Sequence, residues 1–129
     1  MSENFNLEII SPDKTILKTE TNQVTLPAFE GLMTILKDHI PLVTFLRPGI
    51  IDVTINNKVE KFYVEEGTVE FFKNNLLILS SSAKNKKDLS VDQINSMKDE
   101  AKQNINSNIK DKERYILNHK ISTLEEISE

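Results

Sequence analysis

The sequence predicts a mainly β chain with some α: an N-terminal β-sandwich over residues 1–86, then a C-terminal antiparallel two-helix hairpin over 87–129. Three observations lead there. Short apolar runs fill Phe5 to about Ser82, turn residues punctuate them, and the apolar period changes after Ala83, with no Gly or Pro in residues 84–129. Many short strands closed by turns describe a sandwich or barrel.

The candidate strands, in order, are FNLEII, KTILK, QVTLP, LMTIL, PLVTFL, GIIDVTI, KVEKFYV, TVEFF and LLILSS. Alternation is clearest where Ile51, Val53 and Ile55 share one face and Asp52 and Thr54 the other. Asn56-Asn57 reads as a tight hairpin turn, Glu66-Gly67 as a second and Asn74-Asn75 as a third. Pro12, Pro27, Pro41 and Pro48 fall at run ends or joins, where a missing N–H removes no ladder bond.

Beyond Ala83, Ser90 suits a helix N-cap, and Ile94, Met97, Ala101 and Ile105 recur at helical spacing. Asn104, Asn106, Ser107 and Asn108 are poor helix formers and predict a turn. A second stripe follows through Ile109, Ile116 or Leu117, Ile121, Leu124 and Ile127. Each stripe is thin, so the pair is expected to lean on the sandwich or on a partner.

Composition excludes several function classes. The 129 residues suit one domain with a small appendage, and no cysteine is present for a disulfide or a thiolate metal site. Residues 1–83 hold 7 Lys+Arg against 11 Asp+Glu, and residues 84–129 hold 9 against 9, so the net charge of -4 belongs to the first part. Nucleic acid rewards clustered cations, and the one basic cluster, Lys84 to Lys87, reads as a solvated linker. The first residues lack the pattern of a secretion signal, and no apolar run approaches the roughly 18 residues of a membrane span.

The most catalytic-looking cluster is Lys37-Asp38-His39. Adjacent residues on an extended segment point to opposite faces, so Asp38 is not expected to orient the His39 ring as a catalytic carboxylate does. His119 stands in a charged helix with no metal-ligand spacing to His39, and Glu65-Glu66 reads as a solvated pair beside a turn. Phe71-Phe72 puts one ring in the core and one outside.

The string LEIISPDKTILKTETNQVTLPAFEGLMTILKDHIPLVTFLRPGIIDV resembles the N-terminal domain of the epsilon subunit of the F-type ATP synthase. In that family a segment EGxxGIxPGHxPLxTxLxPGxxxI recurs. Glu30, Gly31, Ile35, His39, Pro41, Leu42, Thr44, Leu46, Pro48 and Gly49 match it without a gap. EKFYVEEGTVEFFKNNLLILSSSA resembles the strands that precede the family's linker.

The resemblance implies a non-catalytic subunit of the rotary central stalk, peripheral on the cytoplasmic side of the inner (plasma) membrane, with no cofactor. Its partners would be the gamma subunit and the ring of c subunits, coupling rotation to ATP synthesis. His39 would then serve contact and shape, and Gly31, Leu32, Asp38 and His39 would face the c ring. The family often has an acidic residue where Leu32 stands, which makes that contact apolar here. Members that bind ATP open the first helix with an acid and an arginine where this chain has Ser90 and Gln93, so no tight ATP binding is expected. In several bacterial members the hairpin extends into the alpha/beta catalytic hexamer and blocks hydrolysis, which is the expectation for a regulatory role here. The alternatives are a stand-alone ligand-binding sandwich with the helices as a lid, and a small hydrolase built on His39.

Overall fold

Asn56 and Asn57 set the largest piece of the architecture. Both hold positive φ, 52° and 65°, the backbone of a two-residue turn whose twist matches that of the flanking strands. They join β6 (Gly49–Ile55) to β7 (Lys58–Val64), where Ile55 faces Lys58 and Gly49 faces Val64. The same register continues into β5 (Leu42–Leu46) and β8 (Gly67–Phe72), where Leu46 faces Gly67 and Leu42 faces Phe71. Residues 42–72 are thus one long antiparallel hairpin, bent where Arg47-Pro48 lies opposite Glu65-Glu66.

That bend replaces the hairpin turn predicted at Glu66-Gly67. No ladder joins β7 to β8; Val64 pairs with Gly49 and Gly67 with Leu46. The residues mark a fold in a strand pair. The third turn lies one residue earlier than predicted, at Lys73-Asn74, with φ of 47° and 61°, and Asn75 already pairs with Phe72.

The computed structural model describes residues 3–128. The remaining strands are β1 (Phe5–Ile10), β2 (Thr15–Thr21), β3 (Gln23–Ala28), β4 (Gly31–Ile35), β9 (Asn75–Leu79) and the two-residue β10 (Lys84–Asn85). They pair in the order β10-β7-β6-β3-β5-β8-β9-β1-β2, with β4 added to β3. β1 runs parallel to β9, and the other pairs are antiparallel. β3 bridges the layers, leaving β6 after Thr25 and meeting β5 at Ala28. Pro27 sits at this change of neighbour, where its missing N–H removes no bond. β10, which pairs Lys84 with Tyr63 and Asn85 with Phe62, lies in the segment read as linker.

Between the layers lies one core, including Phe5, Leu7, Ile9, Val24, Leu26, Ile51, Val53, Phe62, Phe71 and Ile78. Phe5 meets Phe71 edge to face at 5.6 Å, a favoured aromatic geometry. At the bend there is no room for a side chain at Gly67. A Cβ there would lie 2.7 Å from the Leu79 carbonyl oxygen and 3.2 Å from Ser80 Cβ. Gly67→Ala is therefore expected to cost about 2 kcal/mol of unfolding free energy, read as a lower urea midpoint at unchanged slope.

The helices are α1 (Val91–Ile105) and α2 (Asp111–Ile127). Ser90 caps α1: its hydroxyl accepts from the Gln93 N–H at 3.1 Å, and the Gln93 side chain accepts from the Ser90 N–H at 2.9 Å. The asparagine-rich segment closes α1, with the Asn106 N–H donating to the Gln103 carbonyl. Ile94 and Leu124 share one cluster near the free ends of the hairpin, so the two helices run antiparallel. Only Ile94 and Ala101 of the first stripe, and Leu124 and Ile127 of the second, are buried; Ile109, Ile116, Leu117 and Ile121 are half-buried.

Candidate functional site

Lys37, Asp38 and His39 lie in a turn, not on an extended segment, closed by the His39 N–H donating to the Leu36 carbonyl at 3.1 Å. Asp38 holds φ 65°. Its carboxylate accepts from the Asn74 side-chain amide at 2.9 Å, while its own N–H donates to the Asn74 side-chain oxygen at 2.7 Å. The His39 ring lies edge-on to Phe71 at 5.9 Å, with Nδ1 2.7 Å from the Ile40 carbonyl oxygen. Asp38 and His39 are each engaged, but not with one another. The pair braces the loop against the β8–β9 hairpin and offers no oriented imidazole for base catalysis.

Gly31 and Leu32 begin β4, and Asp38 and His39 follow its far end, so the length of the strand, roughly 13 Å, separates the two pairs. Leu32 is 71% exposed. The four residues therefore form two separate surface points.

A broader apolar surface lies on the outer faces of β5, β8 and β9. Val43, Phe45, Phe72 and Leu79 are all exposed there. Phe45 faces Thr68, which in turn faces Leu79, so the apolar side chains run across three neighbouring strands. Exposed apolar side chains gathered on one face of a well-packed sheet, here around Thr68 and Glu70, suit a contact with another molecule. Sequence reading identified one member, Phe72 beside the buried Phe71; Val43, Phe45 and Leu79 escaped it because each looks like an ordinary strand residue until the two layers are assigned.

The second assembly of interest joins the hairpin to the sandwich. Tyr63, Leu89, Ile94, Leu124 and Ile127 form a separate buried cluster, with Ile50 and Met97 against it. Tyr63 is held as a neutral phenol by burial first and by the Glu65 carboxylate second, and donates to Glu65 at 3.0 Å. Lys120 reaches the same carboxylate at 3.2 Å. Farther along α2, the Tyr115 hydroxyl donates to the Phe29 carbonyl at 2.7 Å, and its ring stacks on Phe29 at 5.8 Å. The Glu65-Glu66 pair, expected to be solvated, instead does structural work. Glu66 accepts from the Ser81 N–H at 2.9 Å and hydroxyl at 2.6 Å, and Ser82 accepts from the Glu65 N–H at 2.8 Å. Tyr115→Phe is expected to cost about 1 kcal/mol of hairpin docking, read as roughly fivefold faster amide exchange in α2.

Among the described residues no group of three His, Asp or Glu side chains is placed to hold a metal ion, and no helix is long and apolar enough to cross a membrane. An open cleft of about 530 Å³ lies between β2 and β10, with Asp13, Lys14, Glu60 and Lys84 around Phe62 and Ala83. Neither α1 nor α2 lines it, which speaks against a helical lid over a ligand there. A cleft of about 550 Å³ on the sandwich takes only Lys112 from α2, and one of about 390 Å³ lies within the helical hairpin, between Asn104, Ser107 and Ile109 and the α2 side chains Glu113, Ile116 and Leu117.

A family model described as ATP synthase, Delta/Epsilon chain, beta-sandwich domain matches residues 4–86. The chain is 44% identical over 130 residues to the ATP synthase epsilon chain of Pelagibacter ubique, covering 99% of this chain and all of that one. It is 33% identical over 112 residues to the epsilon chain of Nitratidesulfovibrio vulgaris, covering 87% of this chain and 83% of that one. In shape it is similar to a chain of the Euglena gracilis mitochondrial ATP synthase, with a TM-score of 0.80 at 20% identity, covering 98% of this chain and 82% of that one. A chain of the Tetrahymena thermophila mitochondrial ATP synthase central stalk and c ring gives a TM-score of 0.68 at 16% identity, covering 96% of each. These structural likenesses bear on the fold alone. With a sandwich model matched over most of its length and relatives aligned through the hairpin, the chain belongs to the family of ATP synthase epsilon chains.

Proposed function

We propose that this chain is a non-catalytic rotor subunit in the central stalk of a proton-translocating F-type ATP synthase, coupling rotation of the c ring and gamma to ATP synthesis. The observation that carries the reading is the exposed apolar face of Val43, Phe45, Phe72 and Leu79 on a cross-braced sandwich. A coupling element must be stiff and must offer a contact face, and gamma is the partner assigned to this one. Gly31 and Leu32 at one end of β4, and Asp38 and His39 at the other, are the candidate c-ring contacts; their separation makes them two touch points, and Leu32 meets the ring by apolar contact. Residues 1–86 would form the binding domain and 87–129 a helical domain able to extend toward the alpha/beta hexamer, on the cytoplasmic side of the membrane.

Assembled enzyme carrying either the full chain or one truncated after Lys87 tests the regulatory part through its ATP hydrolysis rate. A faster rate with proton coupling retained identifies the hairpin as a brake; an unchanged rate makes it a brace. Failure of the full chain to form a stable complex with cognate gamma would overturn the whole reading.

ATP is assigned no site. Ser90 and Gln93 are spent on capping α1, and neither brings the acid or the guanidinium that the family's ATP binders use there. Titrating ATP into the purified chain is expected to give no binding heat at micromolar concentrations, and a saturable signal there would refute this.

A further inference from the structure

We propose that gamma, seated on the Phe45 face, also fills the cleft between the sandwich and α2 and so holds the hairpin docked: its binding surface is built from both parts of the chain. The inference rests on reading this chain as a gamma-binding rotor subunit and adds that gamma controls the hairpin through one cleft.

The cleft, of about 550 Å³, is lined by Phe29, Phe45, Leu46, Gly67 and Thr68 of the sandwich and by Lys112 of α2. Phe45 belongs both to this cleft and to the outer face that carries Val43, Phe72 and Leu79, so a partner lying on that face has the cleft at its edge.

Phe29 joins the cleft to the hairpin. Its N–H donates to the Phe45 carbonyl at 3.0 Å, and its own carbonyl accepts from the Tyr115 hydroxyl at 2.7 Å, with the two rings stacked at 5.8 Å. Docked α2 therefore braces one wall of the cleft through Tyr115 and supplies another through Lys112. Once α2 is released, Lys112 leaves and Phe29 loses its stacking partner, so the shape that gamma fills exists only in the docked state.

The chemistry of the occupant follows from the lining. Phe29, Phe45 and Leu46 suit an apolar side chain of gamma. Lys112 is exposed, and among the described residues no carboxylate stands in ion-pair range of it. Glu66, the acid lining the cleft, is engaged with the Ser81 N–H at 2.9 Å and hydroxyl at 2.6 Å. The unpaired cation therefore calls for a carboxylate of gamma beside the apolar side chain.

Coupling of this kind is reciprocal. A gamma that binds the docked form more tightly lowers the opening of α2 by the same factor by which opening weakens gamma. Entry of the hairpin into the alpha/beta hexamer would then require gamma to give up this cleft.

Amide exchange in α2 of the full chain, with and without saturating cognate gamma, reads the coupling without involving hydrolysis. Gamma is expected to slow α2 exchange about 5- to 50-fold. Lys112→Glu is expected to leave α2 exchange of the free chain unchanged, because an acid in the first turn of a helix is well placed. The same variant is expected to cut the slowing by gamma about threefold or more, while gamma stays bound through Val43, Phe72 and Leu79. Gamma that binds yet leaves α2 exchange unchanged, or slows it equally in Lys112→Glu, overturns the inference and leaves the rotor reading intact. Failure of gamma to bind overturns both. Slowing of α2 exchange with rising concentration of the chain alone would seat a second copy in the cleft and overturn the assignment to gamma.

Discussion

Phe71→Ala is expected to cost about 4 kcal/mol of unfolding free energy, close to the upper end for a single core truncation. The ring is fully buried between the layers and meets Phe5 from β1 and His39 from the 36–41 turn. The parallel β1–β9 ladder gives β1 a second, stronger anchor, whereas the turn is tied to the β8–β9 hairpin by the Asp38–Asn74 pair and by His39. The truncation should therefore loosen the turn before it loosens the sheet. Urea titration followed by NMR of His39 measures both effects. A drop below 2 kcal/mol would mean that the layers close over the missing ring, and an unshifted His39 signal would mean that the turn holds without it. His39→Ala, by contrast, removes one face of a contact and is expected to cost about 1 kcal/mol. Its shape role predicts loss of a surface, and no loss of turnover.

Strands were legible in the sequence because their alternation is written locally: β1, β6 and β7 fall on the predicted residues. Asn56-Asn57 was legible for the same reason, since few other residues tolerate left-handed backbone at both central positions. The Glu65-Glu66-Gly67 bend was not, because a turn and a fold in a strand pair use the same residues and differ only in which strand lies opposite. That Asp38 does not orient His39 was legible, but the partner that braces Asp38 was not. Leu36–Pro41 reads as a loop between two strands, but its brace is Asn74, 36 residues away from Asp38. The surfaces that matter here are less legible still. Val43 and Phe45 become an exposed face only once β5 is placed beside β8, and the Tyr63–Glu65–Lys120 set joins a sandwich strand to α2. The ladder to β10 shows the converse: two residues in a basic linker become strand because Tyr63 and Phe62 offer free backbone at the sheet edge.

Leu124→Ala should separate the hairpin from the sandwich without harming the sandwich itself. Leu124 is fully buried in a cluster of only seven side chains, and truncation there is expected to cost about 3 kcal/mol. Besides this cluster the helices dock through the Tyr115–Phe29 and Lys120–Glu65 contacts, both at the edge, so the loss falls on docking and opens α2 roughly a hundredfold more often. Amide exchange in α2 reports the opening, while the urea midpoint followed through the strands stays in place. A parallel loss of both would show that helices and sandwich unfold as one unit and that no releasable element exists. In the assembled enzyme the same variant separates two mechanisms that truncation alone confuses. Removing the hairpin deletes both a brace and a brake, but Leu124→Ala keeps the chain and shifts it toward release. If the released hairpin is the brake, hydrolysis slows in Leu124→Ala and quickens in the chain cut after Lys87, two variants of one element acting in opposite directions. If the docked hairpin is a brace, both variants weaken coupling together, and the sign of the Leu124→Ala effect decides between them.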